Sequence, residues 1–175
     1  MRAIGFHGTN VAAAQRILAS GFVISRNEYD WLGDGAYFFQ DAQQRALEWA
    51  RTRFGSEAAV LGAEIDLTGC MDLLDVGWQE FIQASYEGVF AQLRERSLPL
   101  PRQTAGAHRL DRHVLNHAIG VLGERGVPVR SVRAAFIEGA PLFPGSALWS
   151  RAHVQIAVRD PIAILNVWLV PSSGG

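Results

Sequence analysis

Lysine is missing from this sequence: all 16 of its Lys/Arg side chains are arginine. Either a GC-rich genome or avoidance of a nucleophilic amine accounts for that. Cysteine is nearly missing too. Cys70 stands alone, which excludes an internal disulfide and a Cys-based zinc finger, and suits a reducing compartment. No run approaches the roughly 18 apolar residues that span a bilayer. Met1-Arg2 leads into only a short apolar segment, which does not make a signal peptide. The expectation is a cytoplasmic protein with no membrane partner. Nor is there an excess of one charge: 16 bases face 17 acids, which argues against a dedicated nucleic-acid binder.

What is present suits one globular domain over 1–175. Hydrophobic residues make up 49% and charged ones 19% of 175 residues, enough to bury a core. The charge is unevenly spread. Residues 28–87 are mostly acidic, whereas 94–133 carry eight arginines, from Arg94 to Arg133, against Glu95, Asp111 and Glu124. That stretch fits either a solvated surface or a phosphate-facing one.

Residues 3–6 read as a short buried strand delivering His7-Gly8-Thr9 at its end. Asn10 then caps a helix with Val11, Ala14, Ile17 and Leu18 at helical spacing, and Gly21 stops it. Residues 22–25 read as a second strand. Gly33-Asp34-Gly35 predicts a tight turn into the aromatic strand Ala36-Tyr37-Phe38-Phe39. A helix follows from Asp41, with Ala42, Ala46, Trp49 and Ala50 on one face. Residues 59–67 read as a strand, 76–97 and 110–125 as helices, and 98–108 as a loop between them. Strands are expected over 132–138, 154–158 and 162–170, with a Gly/Pro-rich loop over 139–150. The order fits an α+β fold on a split, mostly antiparallel sheet.

Three strand edges combine polar or aromatic side chains with permissive backbone: His7-Gly8-Thr9, Gly33-Asp34-Gly35-Ala36-Tyr37 and His153-Val154-Gln155. Each alone is more often a structural feature than a catalytic one. In this order, with the last strand continuing Gln-Ile-Ala-Val-Arg-Asp-Pro, they resemble the His–Tyr–Glu branch of the ADP-ribosyltransferases, which includes the poly-ADP-ribose polymerases and diphtheria-type toxins. The resemblance runs from His7 to about Leu169.

That resemblance implies NAD as co-substrate. His7, Tyr37 and Gln155 become the catalytic set, and His7, Gly8, Thr9, Gly35, Tyr37 and Trp49 the NAD-binding set. A glycine lets backbone N–H and C=O groups approach a carboxamide. His7 would donate to a ribose hydroxyl, and Tyr37 would offer a flat face to the nicotinamide ring. Trp49 stands about one residue from the family's second aromatic, and is equally a helix residue packed on the sheet. Gln155 occupies the family's glutamate position. An amide keeps the shape but brings no charge and cannot act as a base, so single transfer to a macromolecular acceptor, protein or nucleic acid, is expected rather than chain elongation. Glu138 and His153 are candidate substitutes for the base.

The loop over 139–150 falls where the family carries its target-recognition loop. Its Leu142, Phe143, Leu148 and Trp149 would either contact a target or tuck into the core. Small stand-alone members of the family act as toxins or antiphage effectors held by a cognate antitoxin or inhibitor. The main rival reading is a catalytically inactive NAD- or ADP-ribose-binding module. The arginine order of the tRNA 2′-phosphotransferases is not found. His113 and His117, four apart on one helix, suit a metal in spacing but have no acid completing the set, so no metal is expected.

Overall fold

The computed structural model describes residues 1–104 and 107–171. The last four residues of the expected domain, and 105–106 of the expected loop, lie outside them. Strand β1 (Arg2–Asn10) leads into helix α1 (Val11–Ser20), followed by β2 (Ala36–Gln40), α2 (Gln43–Phe54), β3 (Ala58–Asp66) and β4 (Cys70–Asp72). Helix α3 (Gln79–Glu95), the two-residue strands β5 (Gln103–Thr104) and β6 (Ala107–His108), and α4 (Arg109–Glu124) come next. Strands β7 (Ser131–Phe136), β8 (His153–Val158) and β9 (Ile164–Leu169) complete the order.

Seven strands form one sheet in the order β4-β7-β8-β2-β1-β3-β9. Among the described residues only β4 and β7 pair in parallel, so the fold is α+β on a mostly antiparallel sheet. One face carries Ala3, Phe38, Ile65, Ile156 and Val158, closed over by Phe22 and Ile24. The other is covered by two separate groups. Helix α2 packs Ala46 and Trp49 against Phe6, Phe39 and Val60, while α4 lays Leu115 and Ile119 on Val132, Ala134 and Ala157. The candidate site lies on this second face.

The caps form as the sequence predicts. Asn10 accepts from the Ala13 N–H at 2.8 Å, and Gly21 takes φ +82° where α1 ends. Residues 22–25 differ from expectation, since only an isolated bridge joins Ser25 to Gly35. β1 registers with β2 at Phe39 and Gln40, and the segment approaches the start of that strand at Gly35 alone. Instead Asp30 shapes the segment, accepting from Ser25 Oγ at 2.5 Å and the Asn27 N–H at 2.9 Å. Strand β4 is an addition the sequence does not announce, because three residues are too few to show a period.

Candidate functional site

His7-Gly8-Thr9 does not end a strand. β1 stays paired with β3 through Asn10↔Ala58. What ends is its pairing with β2, which registers only Gly5↔Gln40 and Phe6↔Phe39. Backbone groups of an antiparallel strand turn to alternate sides residue by residue. The Ile4 carbonyl accepts from Asp41 N at 2.9 Å, on the β2 side. The Val60 carbonyl, opposite Gly8, accepts from Val170 and so turns away from β1. Both contacts place the Gly8 N–H and C=O on the β2 side, beyond the last registered pair.

In a ladder continued by one step, the Gly8 N–H would meet the Tyr37 carbonyl. His7 takes that place: its Nδ1 lies 2.8 Å from the Tyr37 oxygen. A carbonyl only accepts, so Nδ1 carries the proton. Burial lowers the His7 pKa, against the opposing effect of this hydrogen bond, and the neutral ring keeps a lone pair on Nε2. Toward a ribose hydroxyl such an imidazole accepts, where the sequence reading has it donate. The result is an opening in the sheet edged by a paired donor and acceptor on Gly8.

Register also sorts the side chains. Paired residues share a face and neighbours along a strand alternate. Tyr37↔Ala157 and Phe39↔Gln155 put Tyr37 and Gln155 on the face of Gly8 and α2. His7 and Thr9 point to the other face, where His7 meets Phe22 edge-on at 5.2 Å between centroids. A Cβ on Gly8 would stand 2.5 Å from the Ala46 carbonyl oxygen and 3.1 Å from Trp49 Cε3. Gly8 therefore lets α2 sit against the strand, and Trp49 flanks the opening. A Cβ on Gly35 would stand 3.0 Å from that of Ala157. The Tyr37 hydroxyl is committed to the preceding loop, accepting from the Leu32 N–H at 2.8 Å and donating to the Gly33 carbonyl at 2.7 Å. Burial pushes its pKa up, so it stays a phenol.

Gln155 lies between Phe39 on β2 and Ala134 on β7. Its Oε1 accepts from the indole N–H of Trp31 at 2.7 Å, and its Nε2 lies 2.9 Å from Nε2 of His153. His153 also contacts the Arg151 carbonyl through Nδ1 at 2.7 Å. Among the described residues no group of three His, Cys, Asp or Glu is arranged to hold a metal. No family model matches the chain, and no curated protein does.

Several participants escaped the sequence reading. Trp31 is one, at a separation of 124 residues from Gln155. Arg45 on α2 is another. It bonds Glu138 at 2.5 Å and Glu48 at 3.3 Å, with its guanidinium 5.2 Å from the Phe39 ring centre. Glu138, a candidate base, is therefore held in an ion pair. Asn116 and Arg159 are the others: Arg159 donates to the Asp34 carbonyl at 2.8 Å, and Asp34 N–H to Asn116 Oδ1 at 3.2 Å. They fix the Gly33-Asp34-Gly35 turn, whose motif was visible while its anchors were not.

Proposed function

We propose that the protein is an NAD-dependent mono-ADP-ribosyltransferase that cleaves the nicotinamide–ribose bond and passes ADP-ribose to a macromolecular acceptor. The observation that carries this reading is the unzipped ladder at Gly8. Its N–H and C=O are complementary to a primary carboxamide, whose oxygen accepts and whose NH₂ donates. Trp49 on α2 and the Tyr37 ring lie on the same face, where aromatic surfaces can restrain a planar ring. His7 supports the opening from the far side, and Gly35 lets β2 lie close on β8.

When bound, NAD supplies a glycosidic bond whose electron pair leaves on the nicotinamide nitrogen. That neutralises the ring while positive charge grows on the ribose. The acceptor adds at the vacated carbon and gives up one proton. In this reading Gln155 orients a ribose hydroxyl by hydrogen bonding. Having no charge, it gives no help to repeated addition on a sugar hydroxyl, which supports single transfer.

The acceptor is a protein or a nucleic acid, and two features weigh on the choice. Arg109, Arg112, Arg130 and Arg133 pair with Glu28, Asp34, Asp160 and Asp72, which takes half of the arginine-rich stretch away from phosphates. Leu142, Phe143 and Leu148 stand about 60% exposed on the 139–150 loop, which favours an apolar protein contact. No helix among the described residues is long and apolar enough to cross a membrane. We place the activity in the cytoplasm, as a toxin or antiphage effector held by a cognate inhibitor.

The uncharged Gln155 favours the second reading, an NAD- or ADP-ribose-binding module without turnover. Nicotinamide release from NAD, by the chain alone and then with cell extract, separates the two. Release that falls in Gln155→Ala supports the transferase. NAD binding without release supports the module, and neither binding nor release overturns both.

A further inference from the structure

The contacts around Gln155 form a chain of hydrogen bonds whose direction is fixed at both ends. An indole N–H can only donate, so the atom facing Trp31 at 2.7 Å must be the amide oxygen. The NH₂ is then turned to His153, 2.9 Å away, and donates to its Nε2. That nitrogen must be bare. At the far end the Arg151 carbonyl can only accept, so His153 Nδ1, 2.7 Å away, carries the hydrogen. Trp31 donates to Gln155, Gln155 to His153, and His153 to the backbone.

An amide satisfies both neighbours at once. A carboxylate cannot: facing Trp31 it accepts as well as the amide does, but its other oxygen would meet the lone pair of His153 Nε2. A charged carboxylate fits only if His153 gains a second proton and becomes a cation. We propose that Trp31 and His153 are positioning residues that hold the Gln155 amide in one orientation. The site is thus built for an amide, and it leaves one amide N–H for a hydroxyl oxygen of the substrate. This rests on the transferase reading for the identity of that substrate, the ribose of NAD, but not for the chain of hydrogen bonds itself.

The surroundings favour the neutral imidazole. Burial lowers the His153 pKa and the Arg45 charge adds to it, opposed by the Arg151 carbonyl bond and by Glu138. Phe39 and Phe136 pack on the ring at centroid distances of 4.9 and 5.6 Å. Glu48 pairs with Arg151 and Arg45, and the titratable ring of His108 packs on Phe136 at 5.5 Å and on Trp31 at 6.4 Å. The sign follows from these contacts. Lowered below the ordinary histidine value of 6.5, His153 keeps Nε2 free at neutral pH. Acidification protonates it, sets two donors against each other, and breaks the chain at Gln155.

The test uses the full chain labelled with ¹⁵N. In wild type at neutral pH, His153 is expected as the Nδ1–H tautomer, and the Trp31 indole N–H should shift as His153 takes up a proton on acidification. In Gln155→Glu, His153 should titrate at higher pH than in wild type. Trp31→Phe keeps a ring against Phe136 but removes the donor. It should lower kcat for nicotinamide release by roughly 10–100-fold, the scale of a misplaced reacting group, with KM for NAD changed much less. A His153 protonated on Nε2 at neutral pH, an indole signal indifferent to its titration, or an unshifted His153 in Gln155→Glu would overturn the proposal. Because these three readouts need no turnover, a protein that releases no nicotinamide would sink the transferase reading and leave this one to be judged by them.

Discussion

Replacing His7 by alanine removes the donor that occupies the Tyr37 carbonyl, and the Gly8 N–H is the group best placed to take it over. The β1–β2 ladder would then gain a Gly8–Tyr37 pair where it now stops at Phe6↔Phe39. Such closure consumes both backbone groups offered to a carboxamide. With each hydrogen bond worth about 1 kcal/mol, NAD affinity should fall roughly 10–100-fold while the fold persists. Calorimetric titration checks this, and an unchanged affinity would mean that His7 does not keep the sheet open. The His7-Gly8-Thr9 motif itself was legible in the sequence. That His7 works through a neighbouring strand's carbonyl was not, because the contact joins residues 30 apart and depends on where one ladder stops.

Among the elements, local signals carried most of the reading. The Asn10 cap, the Gly21 stop and the small-residue face of α2 all act within a few residues, and each formed in its expected place. Failures came where a neighbour decides. Residues 22–25 have strand-like composition but reach the sheet through Ser25 alone, the following turn being held by Asp30, while Cys70–Asp72 is too short to announce itself and is recruited by β7. The Gly33-Asp34-Gly35 turn shows the same division. Its glycines were visible, and Gly33 does take φ +83°. Its attachment to α4 through Asn116 and Arg112 was not. Asn116→Leu would remove Asn116's bonds to Asp34 and to Arg159. Arg112 and Arg159 keep their own bonds to Asp34, so the loss falls on the half-buried Asp34 N–H and costs about 1 kcal/mol, and amide exchange at Leu32 and Gly33 should quicken accordingly. Exchange rates like those of wild type would show that the turn is held by its own backbone.

At the scale of the whole molecule, the two groups covering one face leave the opened part of the sheet between them. Helix α2 brings Trp49 to one side, the α4-anchored loop brings Trp31 to the other, and β8, beside β2 in the sheet, contributes Gln155. The 139–150 loop is flanked by Glu138 and Arg151, which tie it to α2 through Arg45 and Glu48, while its Leu142, Phe143 and Leu148 stay exposed. In the proposed function the Gly8 backbone, freed by His7, receives the carboxamide of NAD. That is tested most directly by following the Gly8 amide in a ¹⁵N-glycine spectrum of the full chain as NAD is added. The Gly8 resonance should move saturably with NAD, and in His7→Ala the same movement should need roughly 10–100-fold more NAD. A Gly8 resonance unmoved at saturating NAD would contradict this reading.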